Sequence, residues 1–104
     1  MVVRIWRGQA TAGEKAEAYY RHVTGRVFPA LKSIPGHEGA YLLQRESAGR
    51  VEFLAVTLWA SLADIQAFAG EDAEVAVVEP AAQAVLAEFD DFARHYELTY
   101  GDCK

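Results

Sequence analysis

The chain has 104 residues, 52% hydrophobic and 12% aromatic, and a net charge of −5. That composition supports one compact domain with a real core and excludes a disordered chain. The acidic balance, with no Lys/Arg cluster, excludes nucleic acid and an anionic membrane surface as partners. No run approaches the roughly 20 apolar residues of a membrane span, and the opening MVVRIWRG lacks the layout of a signal peptide. A cytoplasmic protein is expected. The single cysteine, Cys103, lies in the GDCK tail and has no internal partner for a disulfide. The whole chain, 1–104, reads as one domain, with a core over about 2–100 and a tail over 101–104.

In chain order, Val2 to Gly8 alternates Val3 and Ile5 with Arg4 and Trp6, a first strand. Thr11 and Glu14 have the spacing of a capping box, which predicts that a helix starts there. Ala16, Tyr19, Tyr20, Val23, Val27 and Leu31 continue it as one apolar stripe, with His22 on its flank. Pro29 lacks an N–H and presses on the carbonyl of Gly25, so a kink or break is expected before the helix resumes towards Ile34. Pro35-Gly36 ends it.

His37 to Glu46 reads as a second strand, Ser47 to Arg50 as a turn, and Val51 to Trp59 as a third strand returning antiparallel. Ser61 and Asp64 give a second capping signal, ahead of a short helix closed by Gly70. Pro80 opens a helical segment in which Ala82, Val85, Leu86 and Phe89 share a face. Phe92 to Tyr100 alternates as the last strand. The order β-α-β-β-α-β predicts an α+β, ferredoxin-like fold with a four-stranded antiparallel sheet and helices on one side. In the third strand Val51, Phe53, Ala55, Thr57 and Trp59 face one way and Leu54, Val56 and Leu58 the other. Neither face suits water, so the uncovered one predicts a homodimer, two sheets pairing into an α+β barrel.

The passages VTLWASLADIQAFAG, EDAEVAVVEP and FDDFARHYEL resemble the antibiotic biosynthesis monooxygenase family of small dimeric α+β barrels, from Val2 to about Leu98. The resemblance implies an oxidoreductase: a cofactor-independent monooxygenase acting on a small aromatic substrate of the phenol, anthrone or quinol type. Trp59 falls where heme-degrading members carry a pocket tryptophan. Their strand-1 asparagine is replaced by Trp6, and their heme-ligating histidine falls near Val78, which cannot bind iron. With none of His22, His37 and His95 in that region, the heme-degrading reading is disfavoured and no cofactor or metal is expected.

Cofactor-free oxygenation needs an enclosed apolar slot, a proton acceptor and donors for an oxyanion. Trp59, Trp6 and Tyr41 are the candidate slot walls, Arg4 and Arg94 the candidate oxyanion donors, and His95 and His37 the candidate proton acceptors. An imidazole titrates near pH 6.5, which suits it to that exchange. Each has a competing structural reading: Trp59 as a core plug, His37 as a surface residue, Arg4 and Arg94 in cross-strand ion pairs with Glu97 or Glu52. His95 and Tyr96 are adjacent in a strand and face opposite sides. No phosphate loop, metal-ligand spacing or nucleophile elbow is present. The reading from another class is a non-catalytic dimeric domain that binds or carries a small hydrophobic metabolite.

Overall fold

Two long strands, β2 (His37–Ser47) and β3 (Arg50–Trp59), form the expected hairpin in the computed structural model, which describes residues 1–103. Ala48 and Gly49 alone join them, at φ +53° and +76°. Two successive positive φ values make a type I′ turn, whose twist matches that of the flanking strands. The first strand, β1 (Val2–Thr11), lies antiparallel on the other side of β3, from Val2 opposite Trp59 to Thr11 opposite Arg50.

Helix α1 (Glu14–His22) begins at Gly13, not at a Thr11–Glu14 capping box. Thr11 is the last residue of β1, and Gly13, at φ +104°, makes the turn into the helix with no side-chain cap. A π-helical turn (Val23–Val27) follows, closed by the Phe28 N–H on the Val23 carbonyl, and α2 (Phe28–Leu31) completes the arm. The break expected at Pro29 takes this form: the wider turn brings the proline into the first turn of a new helix, where its missing N–H costs nothing.

Helix α3 (Leu62–Ala69) starts where the Ser61–Asp64 signal places it, with the Asp64 N–H donating to Ser61 Oγ at 3.2 Å. The region after it departs from the sequence reading. Helix α4 stops at Pro80–Gln83, and Phe89 belongs to a two-residue strand, β4 (Glu88–Phe89), opposite Gly8 and Gln9. The unpaired edge of β1 provides those partners, and Phe89 packs on Trp6 with ring centroids 6.3 Å apart. The last strand, β5 (Arg94–Glu97), is shorter than the expected Phe92–Tyr100, because it pairs only with Val2 to Ile5. The predicted fourth strand is thus two short strands on one edge. The sheet order, β2-β3-β1 with β4 and β5 beside β1, is the ferredoxin-like order, and the fold is α+β.

All helices cover one face of the sheet. Ala10, Val51, Phe53, Ala16, Tyr19 and Val23 form one core beneath α1; Trp59, Ile65, Leu31 and Ala73 form a second beneath α2 and α3. The opposite face carries Val3, Ile5, Leu54, Val56, Leu58, Tyr41, Leu43 and Tyr96, as the register dictates, and no element among the described residues covers it. Tyr41, Leu43 and Tyr96 each remain more than half exposed there. Among the described residues no helix is long and apolar enough to cross a membrane.

Candidate functional site

Between the helix-covered face of the sheet and the α1–π–α2 arm lies a cavity of about 180 Å³. Its floor is Arg4 and Trp6 from β1 with Ala55 and Thr57 from β3; Tyr19, His22, Val23, Val27 and Phe28 form the roof; Phe68 and Val77 to Glu79 close the sides. Even positions of β1 and odd positions of β3 point the same way, so Arg4 and Thr57, opposite each other in the ladder, are side-by-side neighbours on that floor.

Arg4 is the dominant electrostatic feature. The residue is 6% exposed and forms no salt bridge with a carboxylate among the described residues. Its Nη1 donates to the Ala73 carbonyl and to His95 Nε2, the latter at 2.8 Å, and its Nη2 donates to the Val75 carbonyl at 3.1 Å. These bonds use three of the five guanidinium hydrogens and clamp the group to the Ala73–Val75 segment. Burial lowers its pKa, yet arginine stays protonated, so the cavity wall holds a positive charge whose direct partners are two backbone carbonyls and an imidazole nitrogen.

Because arginine can only donate, His95 Nε2 must accept, which fixes that ring as the neutral tautomer protonated on Nδ1. Burial and then the Arg4 charge hold its pKa below the usual histidine value, against a smaller opposing pull from Glu74. His95 therefore orients Arg4 from behind; its Nε2 lone pair is already engaged.

Other sequence candidates are dispersed. Trp6 lines the cavity and anchors its indole N–H on the Asp90 carbonyl at 2.7 Å. Trp59 is fully buried in the second core and does not line the cavity; it backs two residues that do, stacking on Phe68 at 5.5 Å and donating to Thr57. Tyr41 does not wall the slot: it pairs with Val56 on the uncovered face. Arg94, opposite Ile5, is exposed on that same face, away from any oxyanion in the cavity. His37 borders a separate shallow hollow with Lys32 and Glu38 and sets its ring edge-on to Trp59 at 5.2 Å. Glu52 pairs with Arg7 and Arg45, not with Arg4.

Two residues emerge that sequence reasoning passed over. His22 reaches the cavity from the end of α1, and its Nε2 is buried with no hydrogen-bond partner. It lies three residues after Tyr19, on the inner edge of the stripe, whereas Tyr20, counted into that stripe, is 48% exposed. A histidine does reach the pocket, so the absence of one no longer argues against heme. Thr57 is the other: a lone hydroxyl among apolar neighbours on the buried face of β3 was its only signal. Tyr19 is an unsuitable base, since burial raises its phenol pKa far above neutrality. Among the described residues no three His, Cys, Asp or Glu side chains gather as a metal site.

Solved structures share this architecture. The heme-degrader MhuD from Mycobacterium tuberculosis matches at 22% identity and a TM-score of 0.66, over 99% of this chain and 100% of its own. SnoaB, a cofactor-independent oxygenase from Streptomyces nogalater, matches at 14% identity and a TM-score of 0.64, over 96% and 95% of the two chains. At such identities the likeness concerns the fold alone. No curated protein matches the chain. The family model for antibiotic biosynthesis monooxygenase matches residues 1–79, and the chain belongs to that family.

Proposed function

We propose that this protein is a cofactor-independent monooxygenase that oxidises a small electron-rich phenol or quinol, working as a homodimer. The observation that carries the reading is Arg4, a buried cation with no carboxylate partner among the described residues, in the wall of a predominantly apolar cavity. Such a wall favours a ligand that is apolar in body and anionic at one atom, which describes a phenolate. An apolar cavity of about 150 Å³ encloses benzene, so about 180 Å³ favours one ring over a three-ring anthrone.

His22 Nε2, unpartnered in the cavity roof, takes the phenolic proton, and Arg4 in the floor holds the oxyanion. The phenolate then passes one electron to O₂, and the resulting radical pair combines at a ring carbon as a hydroperoxide. Loss of water leaves a quinone, so one oxygen atom enters the product and the other leaves as water, the substrate being the only reductant. The protein supplies charge stabilisation and exclusion of water.

Heme does not fit the cavity as it stands. Pockets for drug-sized ligands, smaller than heme, already occupy roughly 300–1,000 Å³, against about 180 Å³ here. The uncovered apolar sheet face supports the homodimer, and the free thiol of Cys103 accords with a cytoplasmic setting.

The test is oxygen uptake with a panel of phenols, hydroquinones and anthrones. The native protein is expected to turn over at least one single-ring member, His22→Gln to lower kcat about 100-fold, and Arg4→Met to weaken binding about 10- to 100-fold. No uptake above buffer across the panel leaves instead a non-catalytic domain that binds a small hydrophobic metabolite in the same cavity.

A further inference from the structure

Trp59 and Thr57 share a hydrogen bond whose direction matters. The indole Nε1–H is donor only, so Thr57 Oγ1 accepts it, at 2.9 Å. That bond occupies one Oγ1 lone pair and leaves the hydroxyl hydrogen, which has no protein acceptor among the described residues, on a side chain that lines the cavity. Directly opposite in the ladder, Arg4 has its Nε hydrogen and one Nη2 hydrogen equally without a protein acceptor. Two residues with spare donors of different kind are thus neighbours in the ladder, and both line the cavity.

We infer that Thr57 is a second oxyanion donor beside Arg4, and that Trp59 is a positioning residue that turns the Thr57 hydroxyl hydrogen towards the ligand oxygen. The inference rests on the phenol-binding reading of the cavity. A phenolate oxygen has lone pairs for both donors, one charged and one neutral, and the pair selects against ligands whose polar atom is itself a donor. Buried Trp59 needs an acceptor for its indole N–H. By taking one of the two Thr57 Oγ1 lone pairs, it orients the hydroxyl so that its hydrogen is free for the cavity. A serine at position 57 retains this arrangement; valine keeps the shape and loses the donor.

The probe is 4-nitrophenol, whose yellow anion reports its own ionisation in an absorbance titration of the protein-bound ligand. The native protein is expected to lower the pKa of the bound phenol by at least about one unit, since a hydrogen bond to a charged group is worth that much or more. Thr57→Val returns about one unit of that shift, while Thr57→Ser behaves as native. Trp59→Phe gives an intermediate value, and Thr57→Val combined with Trp59→Phe matches Thr57→Val alone, a non-additivity that loss of packing does not produce. Should Thr57→Val fail to fold, Trp59→Phe against Thr57→Ser gives the same contrast. Native-like phenol pKa values in both Thr57→Val and Trp59→Phe overturn the inference and leave the Arg4 site standing. Failure of the native protein to bind 4-nitrophenol, or to shift its pKa, instead removes the phenolate cavity, and the role of Thr57 with it.

Discussion

Arg4 is held where a charge is expensive, and its neighbours show how that cost is met. Two backbone carbonyls and the His95 lone pair take three of its hydrogens, and protonating His95 would convert an acceptor into a second cation at 2.8 Å. In the unfolded chain a histidine gains its proton near pH 6.5; in the folded chain His95 gains it only at lower pH. The stability supplied by neutral His95 is therefore complete above about pH 6.5 and is lost as pH falls through the lower, folded value. Thermal unfolding of the native protein should show a drop in Tm between pH 7 and pH 5 that is smaller in His95→Gln, whose amide oxygen accepts from Arg4 without titrating. An equal drop in the two proteins would show that another group sets the acid limit. Chemical character was legible here and direction was not. Arg4, Trp6 and His95 read as polar or aromatic candidates from the sequence, but only the register decides that Arg94 and Tyr41 face away from the cavity. His22 escaped because an i, i+3 neighbour of Tyr19 sits at the margin of a helical stripe, where a small rotation separates flank from roof.

At the scale of elements, short-range signals succeeded wherever the local backbone alone decides the outcome. The Ser61 cap and the Ala48-Gly49 turn are cases in point, and both give stability predictions. Ala48 occupies a left-handed conformation that costs a non-glycine residue about 1–2 kcal/mol. Ala48→Asn, which tolerates that region, should raise stability by about 0.5–1 kcal/mol in urea unfolding. Gly36 stands at φ +84°, its carbonyl accepting from the Ala60 N–H, and a Cβ there would overlap the Asp64 carboxyl. Gly36→Ala should cost about 2–3 kcal/mol, combining backbone strain with loss of the Ser61–Asp64 cap. A change under 0.5 kcal/mol would mean that the α3 start shifts freely. Signals failed where a distant partner overrides local preference. Leu86 and Phe89 have helical spacing, yet the open edge of β1 draws Glu88 and Phe89 into a strand. Thr11 had a capping spacing but was already paired with Arg50.

At the scale of the molecule, the face opposite the helices is the feature in need of a partner. Leu54, Val56 and Leu58 run down its centre between Tyr41 and Leu43 on one side and Val3 and Ile5 on the other. A second copy laid sheet to sheet removes this surface from water, each Å² contributing roughly 25 cal/mol. Light scattering at micromolar concentration should give twice the 11.4 kDa of one chain. Leu54→Arg, which sets like charges against each other across a twofold axis, should shift the protein to monomer and lower its Tm. A native protein that runs as a stable monomer would remove the pairing.

The alternation along β3 has a practical consequence. Odd positions, among them Thr57, look into the cavity side, and even positions, among them Leu54, look out. On the proposed reading the sheet is a septum one residue thick, with ligand chemistry on one side and association on the other. Variants on the two sides belong to separate genetic compartments. Under the proposed pairing, substitutions at even positions alter association while the cavity lining stays intact, and substitutions at odd positions alter the cavity without touching the paired face.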